Sequence, residues 1–286
     1  MDKAVTILLN GISYSFILFL LASGLSLIFG VMGILNLAHG AFYMIGAYLG
    51  LTAVGLWPNF AVGAISSVVG VSIIGFLVDR VFFKRLYRKI NEQALLTLGL
   101  VYIASNAVLW IWGPYSKMGK APGFLSGSLT VGGLHFPLYR LAIIVVGLVV
   151  FVVLWWLQDK TRVGAQVRAG MDDKEMVIGL GVNYGLISSV VFIVGIMMGG
   201  FAGYIGAPVI GVQPEISMPI LLLAMIVAVV GGLGSIQGAL LGSLIIGIVD
   251  TAGKSYFPDL GMFTLYVIFI AMLLIRPAGL LGRKRD

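Results

Sequence analysis

The chain has 286 residues, of which 60% are hydrophobic and only 10% charged, against about 45–50% apolar and about 25% charged in soluble domains. No water-soluble core of this size absorbs such an excess, so a bilayer must surround the protein. The net charge of +7 would suit a polyanion, yet 13 of the 18 Lys and Arg fall within Arg80–Lys89, Lys160–Lys174 and Arg276–Arg285. That clustering belongs to cytoplasmic span ends under the positive-inside rule and excludes a nucleic-acid surface, which interleaves aromatics on a soluble fold.

The apolar stretches are continuous, as in VVFIVGIMMGGFAGYIGA over Val190–Ala207. Barrel strands alternate, so the expected fold class is an all-α membrane protein, a polytopic helical bundle forming one domain over residues 1–286. The first segment opens MDKAVTILLNGISYSFILFLLASG, longer than a signal core and without a clean cleavage site, and is read as the first span. In chain order the spans are expected near residues 5–30, 38–56, 60–83, 94–113, 138–158, 184–206, 218–232, 236–252 and 261–276, a count of eight or nine. Placing the basic segments in the cytoplasm puts the N-terminus outside, Pro114–Pro137 in an external loop and the C-terminus inside. This parity requires residues 218–252 to be two segments broken near Gly231–Ser235. Fifteen residues rise only about 22 Å as a helix, short of a crossing, and short glycine-broken segments often line a pathway.

Forty glycines punctuate the spans, with Gly195, Gly199 and Gly203, then Gly234, Gly238 and Gly242, and Gly46 and Gly50 recurring every four residues. Small residues at this spacing let helices approach closely in lipid, a reading preferred to a sliding or gating face. NLAHGAFYMIGAYLG from Asn36 and LGSIQGALLGSLIIG from Leu233 are alike and would run in the same direction as a short parallel repeat. Enzyme motifs fail. The Gly253–Ser255 tripeptide lacks the earlier glycine of a phosphate loop, since position 248 is Ile248, and no helix follows it. The Gly232–Gly238 run has one residue too many for a dinucleotide turn and no preceding strand. With no cysteine and only His39 and His135 as histidines, neither thiolate chemistry nor a metal site is expected.

The second basic segment, Thr161–Gly185, reads as a short amphipathic cytoplasmic helix. Asp172 and Asp173 favour its N-terminal end, Met176, Val177 and Leu180 share a face, and Gly181 with Asn183 can end it. Lys174 and Glu175 fill its first turn. Its apolar face is too short to span and too charged to enter lipid, so it should dock on another protein; a helix lying against the membrane is the plainer alternative.

Four blocks carry a resemblance to the branched-chain amino acid permeases of ATP-binding-cassette importers, the LivH-like member of the usual pair. They are GLSLIFGVMGILNLAHGAFYMIGAYLG (Gly24–Gly50), RAGMDDKEMVIGLGVN (Arg168–Asn183), VVGGLGSIQGALLGSLIIGIVD (Val229–Asp250) and LIRPAGLLG (Leu274–Gly282). The resemblance implies a type II-like importer permease in a bacterial inner membrane. It also implies a coupling helix over residues 171–183, within a cytoplasmic segment of about 161–183, seated on a separate ATPase. The implied partners are a LivM-like paralogue, two LivG- and LivF-like ATPases that hold ATP-Mg, and an extracytoplasmic amino-acid-binding protein. No cofactor is implied in this chain, and the implied cargo is leucine, isoleucine or valine. Val177 stands where the family usually has alanine, and Ala278 where glutamine is common. Related permeases carry urea, short amides or other small solutes.

Polar residues at membrane depth are functional candidates. Asn36 and His39, at a break before span two, Asn106 in span four and Gln237 are the candidates for lining the translocation pathway; helix capping by Asn36 is the plainer reading. Asp250 and Lys254 are spaced as a helix-surface ion pair. No acid lies at the expected midplane, which disfavours an ion-coupled secondary carrier.

Overall fold

The computed structural model describes residues 2–86, 89–131 and 134–282, so Arg88 and the basic run Arg283–Arg285 lie outside the described residues. Among the described residues, nine apolar helices occupy the expected spans: α1 (Asp2–Met32), α2 (His39–Leu56), α3 (Phe60–Val78), α4 (Ile90–Trp112), α5 (Leu138–Lys160), α8 (Tyr184–Ile210), α9 (Ser217–Gly231), α10 (Ile236–Tyr256) and α11 (Gly261–Ile275). Seven are long and apolar enough to cross a membrane, whereas α9 and α11 have 15 residues each. Between α5 and α8 lie α6 (Arg162–Asp172) and α7 (Lys174–Gly179). The loop expected between α4 and α5 carries a hairpin of β1 (Ser128–Val131) and β2 (Leu134–Pro137), paired antiparallel with Thr130 opposite His135.

Burial sorts the helices. In the most apolar stretch of α1, 83% is buried, against 17% in α5, so α1 is the central post and α5 turns Val145, Val149, Val152 and Trp156 outward. Around α1 pack α8, α10, α5 and α9, while α2 wedges between α8, α3 and α9. With lipid outside, little hydrophobic force separates one apolar face from another, and close backbone contact holds helices together. The four-residue glycine spacing supplies it. A methyl on Gly24 would enter the backbone of Gly195, one on Gly46 would enter Gly200, and one on Gly203 would strike the Tyr43 carbonyl. Gly247 likewise presses on Ser15, joining α10 to α1.

Two ends of the bundle are distinct. One gathers the C-termini of α1, α3 and α5, the N-termini of α4 and α8, and the turn between α9 and α10. Gly30 of α1 approaches Gly234 and Met171 there, and the Tyr184 hydroxyl donates to the Val31 carbonyl. This end carries Lys84, Arg85, Lys89, Lys160, Arg162, Arg168 and Lys174 and is the basic end. At the opposite end Lys117 pairs its backbone with Val212, and Lys3 lies 5.1 Å from the Tyr256 ring centre.

The break expected at Gly231–Ser235 is real: Gly232 and Gly234 take positive φ of 104° and 86°, and Ser235 caps α10 by accepting from the Gly238 amide. The Gly234 amide donates to Ser26 Oγ at 2.9 Å, so this irregular backbone is satisfied by α1. A strap of residues 277–282 closes the other side. The amides of Leu280 and Leu281 donate to the Val230 and Gly231 carbonyls at 2.9 and 3.0 Å, taking up acceptors that the end of α9 leaves open.

Span two begins where expected in the sequence, but deep in the bundle. His39 opens α2, yet its Nε2 sits 2.9 Å from the Leu21 carbonyl, eleven residues and about 16 Å of helical rise before α1 ends. Residues 33–38 therefore climb back into the bundle, and α2 starts at mid-depth. The Leu37 amide donates to Thr97 Oγ1 and the Ala38 amide to Asn36 Oδ1. From the other side, residues 211–216 bring α9 in, and the Ser217 carbonyl lies against Gly40. The shortness of α9 follows: it too begins inside.

Gly46→Ala should test the packing against Gly55→Ala, whose added methyl meets nothing within 4 Å. Overpacking costs about 1–3 kcal/mol or more, so thermal unfolding in detergent micelles should show a clear loss for Gly46→Ala and none for Gly55→Ala.

Candidate functional site

The basic end carries the segment expected to be one helix. It is two. Thr161 caps α6 by accepting from the Gly164 amide, and α6 ends at Asp172; Asp173 then turns extended and caps α7, its Oδ1 accepting from the Met176 amide at 2.9 Å. An acid in this position satisfies a free amide and meets the positive helix end. Gly181, at φ of 80°, provides the left-handed residue beyond α7. Asn183 does not end α7, as expected, but opens the next helix: its side chain accepts from the Leu186 amide.

The expected shared face of Met176, Val177 and Leu180 divides. Val177 is buried at 4% exposure, while Met176 and Leu180 stand 66% and 76% exposed. The reason is helical geometry, since adjacent positions lie about 100° apart. Val177 anchors α7 to the bundle, and the two larger side chains face away with Ile178, Glu175 and Asp172 also exposed. Lys174 turns back, its Nζ 5.3 Å from the Tyr184 ring centre.

The pathway candidates do not converge on one lining. Asn36 and His39 are buried to 1% and 0% at the start of α2. Asn36 Nδ2 and His39 Nδ1 have no hydrogen-bond partner; the His39 ring lies against Gly24 and Gly199, and the adjacent Gly40 lies against Ser217 at the start of α9. Ser105 and Ser217 hydroxyls meet there at 3.1 Å. Asn106, by contrast, faces outward from α4 and bonds back to the Tyr102 carbonyl, because one residue after Ser105 the helix has turned away. Gln237 is exposed at the basic end, on the first turn of α10. The Asp250–Lys254 pair forms at 2.6 Å, but only Lys254 is at the surface; Asp250 is buried against the bundle.

Sequence reading missed a cavity of about 690 Å³ at the basic end. Phe29, Met171, Leu233, Ile236 and Leu281 wall it, with Gln158, Asp159, Arg168, Asp172, Ser235 and Gln237 as polar lining. Only Gln237 was singled out beforehand as a pathway residue. Among the described residues no cluster of three metal-ligating side chains forms.

The model of the branched-chain amino acid transport system permease component matches residues 7–273. The chain belongs to this family. It is 29% identical to the high-affinity branched-chain amino acid transport system permease protein BraD of Pseudomonas aeruginosa, over 96% of this chain and 95% of that protein. Identity to LivH of Escherichia coli is also 29%, covering 96% and 94%. LivM of Escherichia coli, a second permease protein of the same transport system name, is 26% identical over 93% of this chain and 68% of its own length. No solved structure matches the chain.

Asp173→Ala should remove the α7 cap at a cost of about 1 kcal/mol. Hydrogen exchange of residues 174–179 should then rise several-fold while α8 amides stay protected, and Asp173→Asn should restore most of the protection.

Proposed function

We propose that this chain is the membrane-spanning permease subunit of an ATP-driven importer for leucine, isoleucine and valine, with ATP hydrolysed by separate subunits. The observation that carries the reading is α7: a capped helix held to the bundle by Val177 that offers Met176 and Leu180 to solvent at the basic end. Two large apolar side chains on a charged helix, outside the membrane-spanning helices, suit the groove of a second protein. In this reading α6 and α7 transmit nucleotide-driven closure of two ATPases to the bundle. A paralogue resembling LivM completes the pathway, and an amino-acid-binding protein delivers cargo at the opposite end. The basic end faces the cytoplasm of a bacterial inner membrane and the N-terminus faces outward.

Cargo passes where α2 and α9 begin. Half-helix N-termini offer unpaired amides and positive dipole ends to a carboxylate. Asn36 Nδ2 adds a donor there, and its lack of a partner at 1% exposure is a cost that a transient ligand would offset.

The test is reconstitution in proteoliposomes with the paralogue, ATPases and binding protein. Wild type should couple leucine uptake to ATP hydrolysis. Met176→Asp and Leu180→Asp should each reduce substrate-stimulated hydrolysis at least about ten-fold, the effect of losing one buried apolar anchor, with the bundle still monodisperse. Uptake unchanged in both variants, or proceeding without ATP, would sink the reading in favour of an ion-coupled carrier.

A further inference from the structure

We propose that the basic-end cavity is a second amino-acid site, one that holds the zwitterion of a branched-chain amino acid on the side where cargo leaves. The proposal rests on the function given above and adds a station to it. The volume of about 690 Å³ falls within the range of about 300–1,000 Å³ usual for small-molecule sites.

The lining supplies each part of the ligand. Arg168, on α6, has a side chain 32% exposed, and its Nη1 makes no hydrogen bond but a loose ion pair with Asp159 Oδ1 at 3.5 Å. A guanidinium with a spare N–H is matched to a carboxylate, which it grips through paired bonds. The first turn of α10, Ile236 and Gln237, lines the same cavity, and its positive end also favours an anion. Asp159, beside Arg168, gives the opposite sign for an ammonium group. Leu233, Ile236, Leu281, Met171 and Phe29 form the apolar wall that a branched aliphatic side chain needs. A free inorganic anion would use Arg168 and leave that wall bare, and a purely apolar ligand would leave the charged side of the cavity unused. A zwitterion with an aliphatic side chain uses both.

The site also touches the moving parts of the proposed mechanism. Arg168 and Met171 belong to α6, whose next residues lead directly into α7, and Leu281 belongs to the strap on α9. A displacement of α6 by a docked ATPase changes the cavity directly, so occupancy and docking are linked.

The assembled transporter in nanodiscs should be irradiated with photo-leucine, an L-leucine analogue with a side-chain diazirine, and the adducts mapped by mass spectrometry. Adducts are expected on Met171, Leu233 or Leu281. Excess L-leucine should suppress them, whereas leucinamide, lacking the carboxylate, and 4-methyl-2-oxopentanoate, lacking the ammonium, should not. Arg168→Gln should weaken labelling about ten-fold, the effect of one lost charge-assisted hydrogen bond. Leu233→Trp, which fills the cavity and leaves its charges in place, should weaken it as well. Adducts that both analogues suppress equally, or that persist in both variants, overturn the site. Leucine uptake by the same preparation without competed adducts in the cavity overturns the site and leaves the function standing. Absence of both uptake and competed adducts overturns both.

Discussion

Backbone that leaves helical geometry inside a bilayer has no water to bond, so every free amide and carbonyl must find a protein partner. This constraint organises the molecule around α1. The break between α9 and α10 is admissible because Ser26 on α1 accepts the Gly234 amide and the strap amides cover the end of α9. The climb through residues 33–38 is admissible because Thr97 and the Asn36 side chain accept its amides. Both irregular segments lean on neighbouring helices, and close approach through glycine is what brings those helices near enough to serve.

The same close approach explains the unequal roles of the helices. Those lined with glycine, α1, α2, α8 and α10, interlock backbone to backbone and form a stiff interior. The helices α3, α4, α5 and α11 keep apolar faces such as Ile73, Ile103, Val149 and Val267 exposed, as lipid allows at no cost. The features proposed to act in transport fall at discontinuities in this interior: the mid-depth start of α2, the turn at Gly232–Ser235, and α6–α7 hung beneath α1 by Tyr184 and Met171.

Much of this was legible in the sequence, for physical reasons. Spans announce themselves by continuous hydropathy, and Gly231–Ser235 announced a break because glycine and serine cluster where parity demanded a turn. Asp173 and Gly181 were readable as helix ends from their intrinsic backbone and capping preferences. Other features left no such mark. The break before span two was readable at Asn36, but the depth at which residues 33–38, Gly-Ile-Leu-Asn-Leu-Ala, set the start of α2 was not, because it depends on Leu21 and Thr97 as partners. The inward turn of Val177, and the outward turn of Asn106, depend on helix rotation against tertiary neighbours. The cavity is assembled from α1, α5, α6, α10 and the strap, and no local pattern encodes it.

The strap has a consequence for biogenesis. The carbonyls of Val230 and Gly231 are covered by amides of residues made fifty positions later. During synthesis α9 and α10 must therefore enter the membrane with that end uncovered, and it is sealed only after α11 has followed. Until then these two carbonyls lack the partners that the finished chain supplies.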